Sequence, residues 1–349
     1  MRLSSIAFSS ILEQRSPVMA RILIVPTLDN RPFDPWMHGS SILLRRSAEL
    51  DSFRQHRLVD DPEDADIILF AECNTGTFEE RTRAHPFYVR FPERCFTFQM
   101  ADTVFPILPG LYASLTNERH RPDHTRTGFY LYLVENSFIN ERPLSGNEPY
   151  LASFVGSRTH RIRSEILAFK RSNILLRDTS ADSYRILHKG APAERDLFWS
   201  EYADFMASAR FILCPRGHGA GSIRLYESMK MGRAPVIISD AWHPNDGVDW
   251  NSCSIRIPES DVSRIPQILE AHADHAAEIG ARARAEWETW FSEKVRFHRV
   301  VELCLDISRS RKSFGRLQRI YNLRHIGLHP YLYMRSKKSL FKNSRRMYW

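Results

Sequence analysis

Residues Ala209 to Asp240 read ARFILCPRGHGAGSIRLYESMKMGRAPVIISD. Phe211 to Cys214 is a short apolar run stopped by Pro215, and Ala234 to Ser239 is a second, which suits buried strands of a parallel sheet. Between them lie a glycine-rich loop and a helix over Ser222 to Met231, with Gly232 placed to end it in the left-handed conformation. The unit is strand, crossover helix, strand, and the fold class it predicts is α/β.

The polar residues of this unit point to a ligand. Gly217, Gly219 and Gly221 are expected to let the backbone approach an anion, and the helix behind them aims free N–H groups from Ser222 onward. Arg216 and Arg224 bracket the loop as guanidinium forks for phosphate oxygens. Glu227 follows Arg224 by one helical turn, where its carboxylate can accept from ribose hydroxyls. Anion donors followed by a diol acceptor are what a nucleoside diphosphate needs. The competing reading is a loop that only turns the chain, with Arg224 and Glu227 as a surface pair.

The stretch resembles the exostosin-like glycosyltransferases (family 47, GT-B fold). The resemblance rests on Leu213-Cys214-Pro215-Arg216-Gly217, Ser222-Ile223-Arg224-Leu225-Tyr226-Glu227, Gly232-Arg233-Ala234-Pro235-Val236 and Asp240. It continues more faintly through Asp249-Trp250 and Ile257 to Val262. It implies two Rossmann-like domains facing across a cleft, with the donor held by the second. The family begins that domain with a Phe-x-Gly, here Phe154-Val155-Gly156, which adds Gly156 to the donor-binding residues. The chain departs from the family at Ala71-Glu72, at Phe91 to Asp102, which lacks an Asp-His pair, and at His218, where an Asp is common.

The chain has 349 residues, 43% of them hydrophobic, enough for two domains with real cores. Five cysteines without a Cys-x-x-Cys pair argue for a reducing compartment and against a zinc site. The net charge is +8, but twelve Lys and Arg and no acid fall between Arg309 and Trp349. The body is therefore mildly acidic, and a nucleic-acid-binding body is not supported. Residues 1–18 make a poor signal peptide and are expected to be a disordered leader, with Met19 near the natural start. No run is long enough to span a bilayer. Cytoplasmic residence is expected, with peripheral contact at the inner face of the membrane. That contact would use residues 309–349, where basic side chains alternate with Tyr331, Tyr333, Phe341, Tyr348 and Trp349. A flexible solvated tail is the alternative.

Residues 19–148 are expected to form the first domain and 149–308 the second, with Ser145 to Pro149 as the linker. Strands are expected at Arg21 to Val25, Asp66 to Phe70, Cys95 to Gln99, Thr103 to Leu108, Tyr130 to Val134 and Tyr150 to Val155. Pro109-Gly110 reads as a turn. Helices are expected over Ser40 to His56, His160 to Arg171, Leu197 to Ser208, and almost continuously from Asp261 to Ile307. Trp287, Trp290, Phe291 and Phe297 are expected core anchors. Asp64-Ala65-Asp66 precedes its strand, so it reads as solvated helix-end charge rather than a metal motif. Arg163 could reach the same phosphates or be solvated, and the solvated reading is preferred.

The function expected is transfer of a sugar from a nucleoside diphosphate, with UDP the expected nucleotide, to a glycan or lipid-linked acceptor. The resemblance implies inversion of configuration, which needs a base for the acceptor proton and stabilisation of the leaving diphosphate. Arg216, Gly217, Ser222 and Arg224 are assigned the diphosphate, Glu227 the ribose, and His218 could touch the donor or the leaving phosphate. Glu72, at a strand exit, is the first candidate base, with Asp29 and Asp34 next. No obligatory metal is expected, because cationic side chains can do its work. Two other functions fit the same residues: a nucleotide-sugar epimerase of GT-B fold, and a non-catalytic nucleotide-sugar-binding or membrane-adaptor protein.

Overall fold

The computed structural model describes residues 19–26, 39–72, 78–104, 106, 108–133 and 135–311, with backbone alone at 72 and 78–80. Its first half is a sheet of β1 (Arg21–Val25), β2 (Arg57–Leu58), β3 (Ile67–Glu72), β4 (Cys95–Gln99), β5 (Gly110–Tyr112) and β6 (Thr125–Thr127). The order is β2-β1-β3-β4-β5-β6 and every pairing is parallel. The second half is a sheet of β7 (Tyr150–Gly156), β8 (Ile174–Asp178), β9 (Ala209–Pro215), β10 (Ala234–Ile238) and β11 (Ile255–Arg256). Its order is β11-β10-β9-β7-β8, again all parallel. Ile22, Ile24, Phe96, Phe98, Phe211 and Leu213 are fully buried, as interior strands covered on both faces must be.

The helices that matter here are α1 (Gly39–Leu50), α2 (Arg161–Leu167), α3 (Ser183–Lys189), α4 (Pro192–Ala207), α5 (Ile223–Met231), α6 (Ala276–Trp290) and α7 (Arg296–Ser310). In each sheet the strand order reverses at one place, between β1 and β3 and between β7 and β9. The connections there leave in opposite directions and open a crevice at the carboxyl ends of the strands. The two halves meet around a cleft, so the architecture is α/β with two Rossmann-like sheets in the GT-B arrangement.

The halves are tied together closely. Thr116 bridges Trp242 in antiparallel fashion, and Asn117 N–H donates to Ala241 O at 2.9 Å. Asn245 Nδ2 donates to the carbonyls of Thr127 and Gly128 at 2.8 and 2.9 Å, and its Oδ1 accepts from Tyr226 at 2.9 Å. Helix α7 follows the second sheet in sequence but lies on α1 and the first sheet. Phe297 N–H donates to Ser47 Oγ, which itself donates to Glu293 O at 2.5 Å. His298 stacks on Phe53 at 3.9 Å between ring centres. Residues 296–308, assigned from sequence to the second domain, are thus packed against the first.

Several expectations are corrected. The described part of Thr103 to Leu108 is not a strand; the strand is Gly110–Tyr112, where a turn was expected. Gly110 is there because it runs tight against Thr97 of β4, with no room for a side chain. Tyr130 to Leu133 is irregular and walls the cleft, and the strand of that region is Thr125–Thr127. Strand β8 and helix α3 carry too little periodic signal to have been foreseen. The long terminal helix breaks at residues 291–295, where the chain crosses back to the first sheet. Asp66 is not free helix-end charge: it accepts from Arg21 N at 2.8 Å and pairs with its guanidinium at 3.0 Å, locking the start of β1. The linker 145–149 is held by Glu148, which accepts from Ser145 N at 2.7 Å and from Arg233 at 3.1 Å. The expected leader 1–18 and the tail beyond Arg311 lie outside the described residues. Among those described, no helix is long and apolar enough to cross a membrane.

Candidate functional site

At the β7/β9 reversal the chain leaves β7 through Gly156 and Ser157 and leaves β9 through the loop 216–222 into α5. The cleft above these ends has a volume of about 690 Å³. Gly156, Ser157, Arg163, Tyr202, Arg224 and Glu227 line it from the second half, and Phe129 to Tyr132 and Glu135 from the first.

Arg224 is the centre of the site. It is 5% exposed, donates through Nη2 to Val155 O, and lies over the Phe154 ring at 4.7 Å. Its Nε and Nη1 are buried without a hydrogen-bond partner among the described residues. A desolvated cation with unused donors at a cleft wall is arranged for an anion. Arg163, for which the sequence favoured a solvated side chain, is instead half-buried beside it. Its Nε donates to Arg216 O at 2.9 Å and its Nη2 to Pro215 O at 3.2 Å, so it pins the loop that follows β9. Burial first, and then the charge of Arg224, push the Arg163 guanidinium down to about 10.

Glu227 stands one turn further along α5, partly buried, and its Oε2 accepts from Tyr202 at 2.6 Å. Burial pushes its carboxyl up, while Tyr202 and Arg224 act in the other direction. Burial likewise keeps the Tyr202 phenol well above its ordinary value, so it serves as a donor.

The structure brings Gly156, Arg224 and Glu227 to the cleft and turns Arg216 away. Arg216 N–H bonds to Ile238 O of β10, which directs the side chain across that strand toward Glu259, 3.8 Å away. Arg163 occupies the place expected for it. Gly217 packs against Arg163 rather than lining the cleft. Ser222 holds the N-cap position of α5 with its hydroxyl buried and unpartnered among the described residues. Gly219 and Gly221 serve a different purpose from that expected. A side chain at Gly219 would strike Ser114 Oγ, and one at Gly221 would lie 2.7 Å from Ala113 O. They let the first half approach the loop. Glu72 ends β3 opposite Gln99, with its side chain outside the described residues, and Asp29 and Asp34 lie outside them altogether.

Sequence reasoning missed Tyr202, whose partner is on another helix, and Trp287, a presumed core anchor that lines the cleft under Arg284 at 4.8 Å. Among the described residues one group has metal-ligand spacing: His56, His298 and Glu302 place donor atoms within 4.8 Å of one another. His56 Nδ1 accepts from Ala20 N–H at 3.2 Å, so Nε2 carries the proton and faces Glu302 Oε1 at 3.1 Å. With the proton on Nε2, that tautomer turns no lone pair toward Glu302 for a cation. Cys95, Cys214, Cys253 and Cys304 are free and buried, and burial pushes each thiol up to about 12, so none is an activated nucleophile.

Fold and site together define a two-sheet α/β protein with a cation-lined crevice at a strand-order reversal. Residues 118–272 match the family model of the Exostosin GT47 domain, and this part of the chain is an exostosin-like GT47 domain. An exostosin-1 homolog of Caenorhabditis elegans is 41% identical over 71 residues, 20% of this chain and 19% of that protein. Exostosin-1 of Bos taurus is 25% identical over 242 residues, 62% of this chain and 31% of that protein. The chain thus spans less than a third of the length of these relatives. Among solved structures, Anabaena HepE in complex with UDP-glucose aligns with a TM-score of 0.40 and 9% identity, covering 83% of this chain and 99% of that one.

Proposed function

We propose that this protein is an inverting glycosyltransferase that moves a sugar from a nucleoside diphosphate, with UDP the expected nucleotide, to a hydroxyl of a glycan or lipid-linked acceptor. The observation that carries this reading is Arg224, buried at the carboxyl ends of β7 and β9 with two nitrogens unpartnered among the described residues. Arg163 and Arg224 supply positive charge where negative charge grows on the leaving diphosphate. The N-terminus of α5 adds backbone N–H groups beside them. Glu227, steadied by Tyr202, accepts from the ribose hydroxyls. These groups are fixed before the donor arrives, so little reorganisation accompanies bond breaking. A first-domain carboxylate takes the acceptor proton; Glu72 and Asp29 are the candidates that the sequence offers. The acceptor class and a contact between residues 309–349 and an anionic membrane rest on the sequence.

Calorimetric titration of the chain with UDP and with uridine tests the reading. UDP is expected to bind at least tenfold more tightly than uridine, by the guanidinium–phosphate bonds. Equal affinity for the two, or no binding of either, would remove the diphosphate from this cleft. Release of UDP from UDP-sugars then separates a transferase from a binding protein.

A further inference from the structure

With the diphosphate at Arg224 and the ribose at Glu227, the nucleobase still needs a place in the cleft. Tyr202 of α4 adjoins both groups: its ring lies 5.9 Å from the Arg224 guanidinium, and its hydroxyl donates to Glu227 at 2.6 Å. Phe198 and Trp199 stand one turn earlier on the same face of α4, about 5.4 Å along the helix. Both line the cleft. The backbone there is tied to the first half, since Asn136 Nδ2 donates to Trp199 O at 3.1 Å.

Helix α3 lies against α4 and presents Tyr184, Leu187 and His188 to the same space. Three- and four-residue spacing puts these on one helix face. No residue of α3 is buried, and Tyr184 is 67% exposed. A short helix that sets its apolar face over an open cleft gains little from burial in the empty protein. A flat aromatic ligand lying on that face supplies the missing contact. Ser157, Thr179 and Ser183 line the cleft beside α3, with Ser157 Oγ 3.3 Å from Thr179 Oγ1 and 2.9 Å from Ser183 Oγ. Their hydroxyls suit the polar edge of a base.

The cleft near the C-terminal end of α5 is built differently. Trp287 has the Arg284 guanidinium over it at 4.8 Å, and Phe291 meets Phe129 and Tyr226 edge to face at 5.5 and 4.9 Å. Lys230 and Arg296 are there as well, with Glu135 3.9 and 3.5 Å away. Those rings already face a cation or one another, whereas the α3–α4 face stands open.

We infer that the nucleobase of the donor stacks on the aromatic face made by Tyr184 of α3 with Phe198 and Trp199 of α4, an assignment that rests on the donor reading above. Stacking uses the face of a base, and every base has one, so this subsite secures the nucleotide more than it chooses among bases.

The test titrates the full chain with UDP, which carries a base and no transferred sugar, so a lost contact cannot be one to that sugar. Tyr184→Ala and Trp199→Leu are each expected to raise the Kd for UDP about tenfold, while Tyr184→Phe and Trp199→Phe, which keep a ring, stay within about threefold of wild type. Pyrophosphate, which has no base, should displace UDP with the same inhibition constant from wild type and from Tyr184→Ala. Tyr184 is exposed, so its variants should keep the melting temperature of wild type, and they decide the matter where Trp199→Leu lowers it. Unchanged UDP affinity in Tyr184→Ala, or an equal loss for UDP and pyrophosphate, overturns the base assignment; weaker UDP binding by Arg224→Met then leaves the donor reading standing. A wild-type chain that binds no UDP overturns the donor reading, and this assignment with it.

Discussion

At Arg224 a guanidinium has been desolvated against Phe154, with its neighbour Arg163 adding a second positive charge to the same wall. Such a pair is costly to the empty protein and useful to one holding an anion. Replacing Arg224 by Met removes a buried charge without leaving a cavity. It is expected to hold or raise the melting temperature while weakening UDP binding by about 2 kcal/mol or more, the scale of a charge-assisted hydrogen bond. A lower melting temperature with unchanged UDP affinity would make Arg224 structural. Glu227 has the same character. Burial raises its carboxyl above the ordinary value of 4.5, so the folded state holds the proton more tightly than the unfolded chain. Its stabilising balance is complete below about pH 4.5 and is lost as pH rises through the folded value. Denaturant midpoints of wild type relative to Glu227→Gln should therefore decline above pH 4.5; a difference that does not change with pH would contradict this.

Two connecting elements do more than join strands. The loop 216–222 is a contact between the two halves, because Gly219 and Gly221 admit Ser114 and Ala113 of the first half. Gly219→Ala should destabilise the protein by about 1–3 kcal/mol through overpacking, read as a shift in urea midpoint. The linker carries an ion pair, Glu148 with Arg233, each side chain 4% exposed. Burial opposes ionisation of Glu148, yet bonds from the Ser145 amide and from Arg233 hold it down at about 2. The pair contributes fully above the ordinary value near 4.5, and that contribution is lost as pH falls from there toward 2. Glu148→Gln leaves Arg233 buried without its counter-ion. It should cost about 3–5 kcal/mol at pH 7, with the gap from wild type closing in acid.

On the scale of the whole molecule, the two sheets do not behave as beads on a string. One apolar cluster runs from Ile22 and Phe96 of the first sheet through Tyr226 and Phe291 to Val300 of α7. Asn245 and Tyr226 close the seam with buried hydrogen bonds. Heating should therefore unfold the described body in a single calorimetric transition. Asn245→Ala, which removes the amide donations to the Thr127 and Gly128 carbonyls and the Oδ1 acceptor of Tyr226, should lower stability by about 1–3 kcal/mol and broaden or split that transition. Two transitions in the wild type would show that the halves fold independently.

What was legible in the chain was local. Residues 209–240 declare strand, loop, helix and strand because apolar runs, Pro215 and Gly232 act over a few residues, and the observed elements follow them closely. Arg224 and Glu227 could be paired in advance because one helical turn relates them. Other features depend on contacts between distant residues, and no local pattern encodes those. Arg216 and Arg163 exchanged places because the bond from Arg216 to Ile238 sets which side of β10 its side chain takes. Tyr202 reached Glu227 from a different helix. Gly110 was a strand residue because of Thr97 across the ladder, and α7 crossed to the first sheet because its apolar face is buried there. Composition and period select the kind of element and the chemistry it carries, since both act within a few residues. Which side chains share the cleft follows from packing across the fold, where the free energy of burial is settled by neighbours far away in sequence.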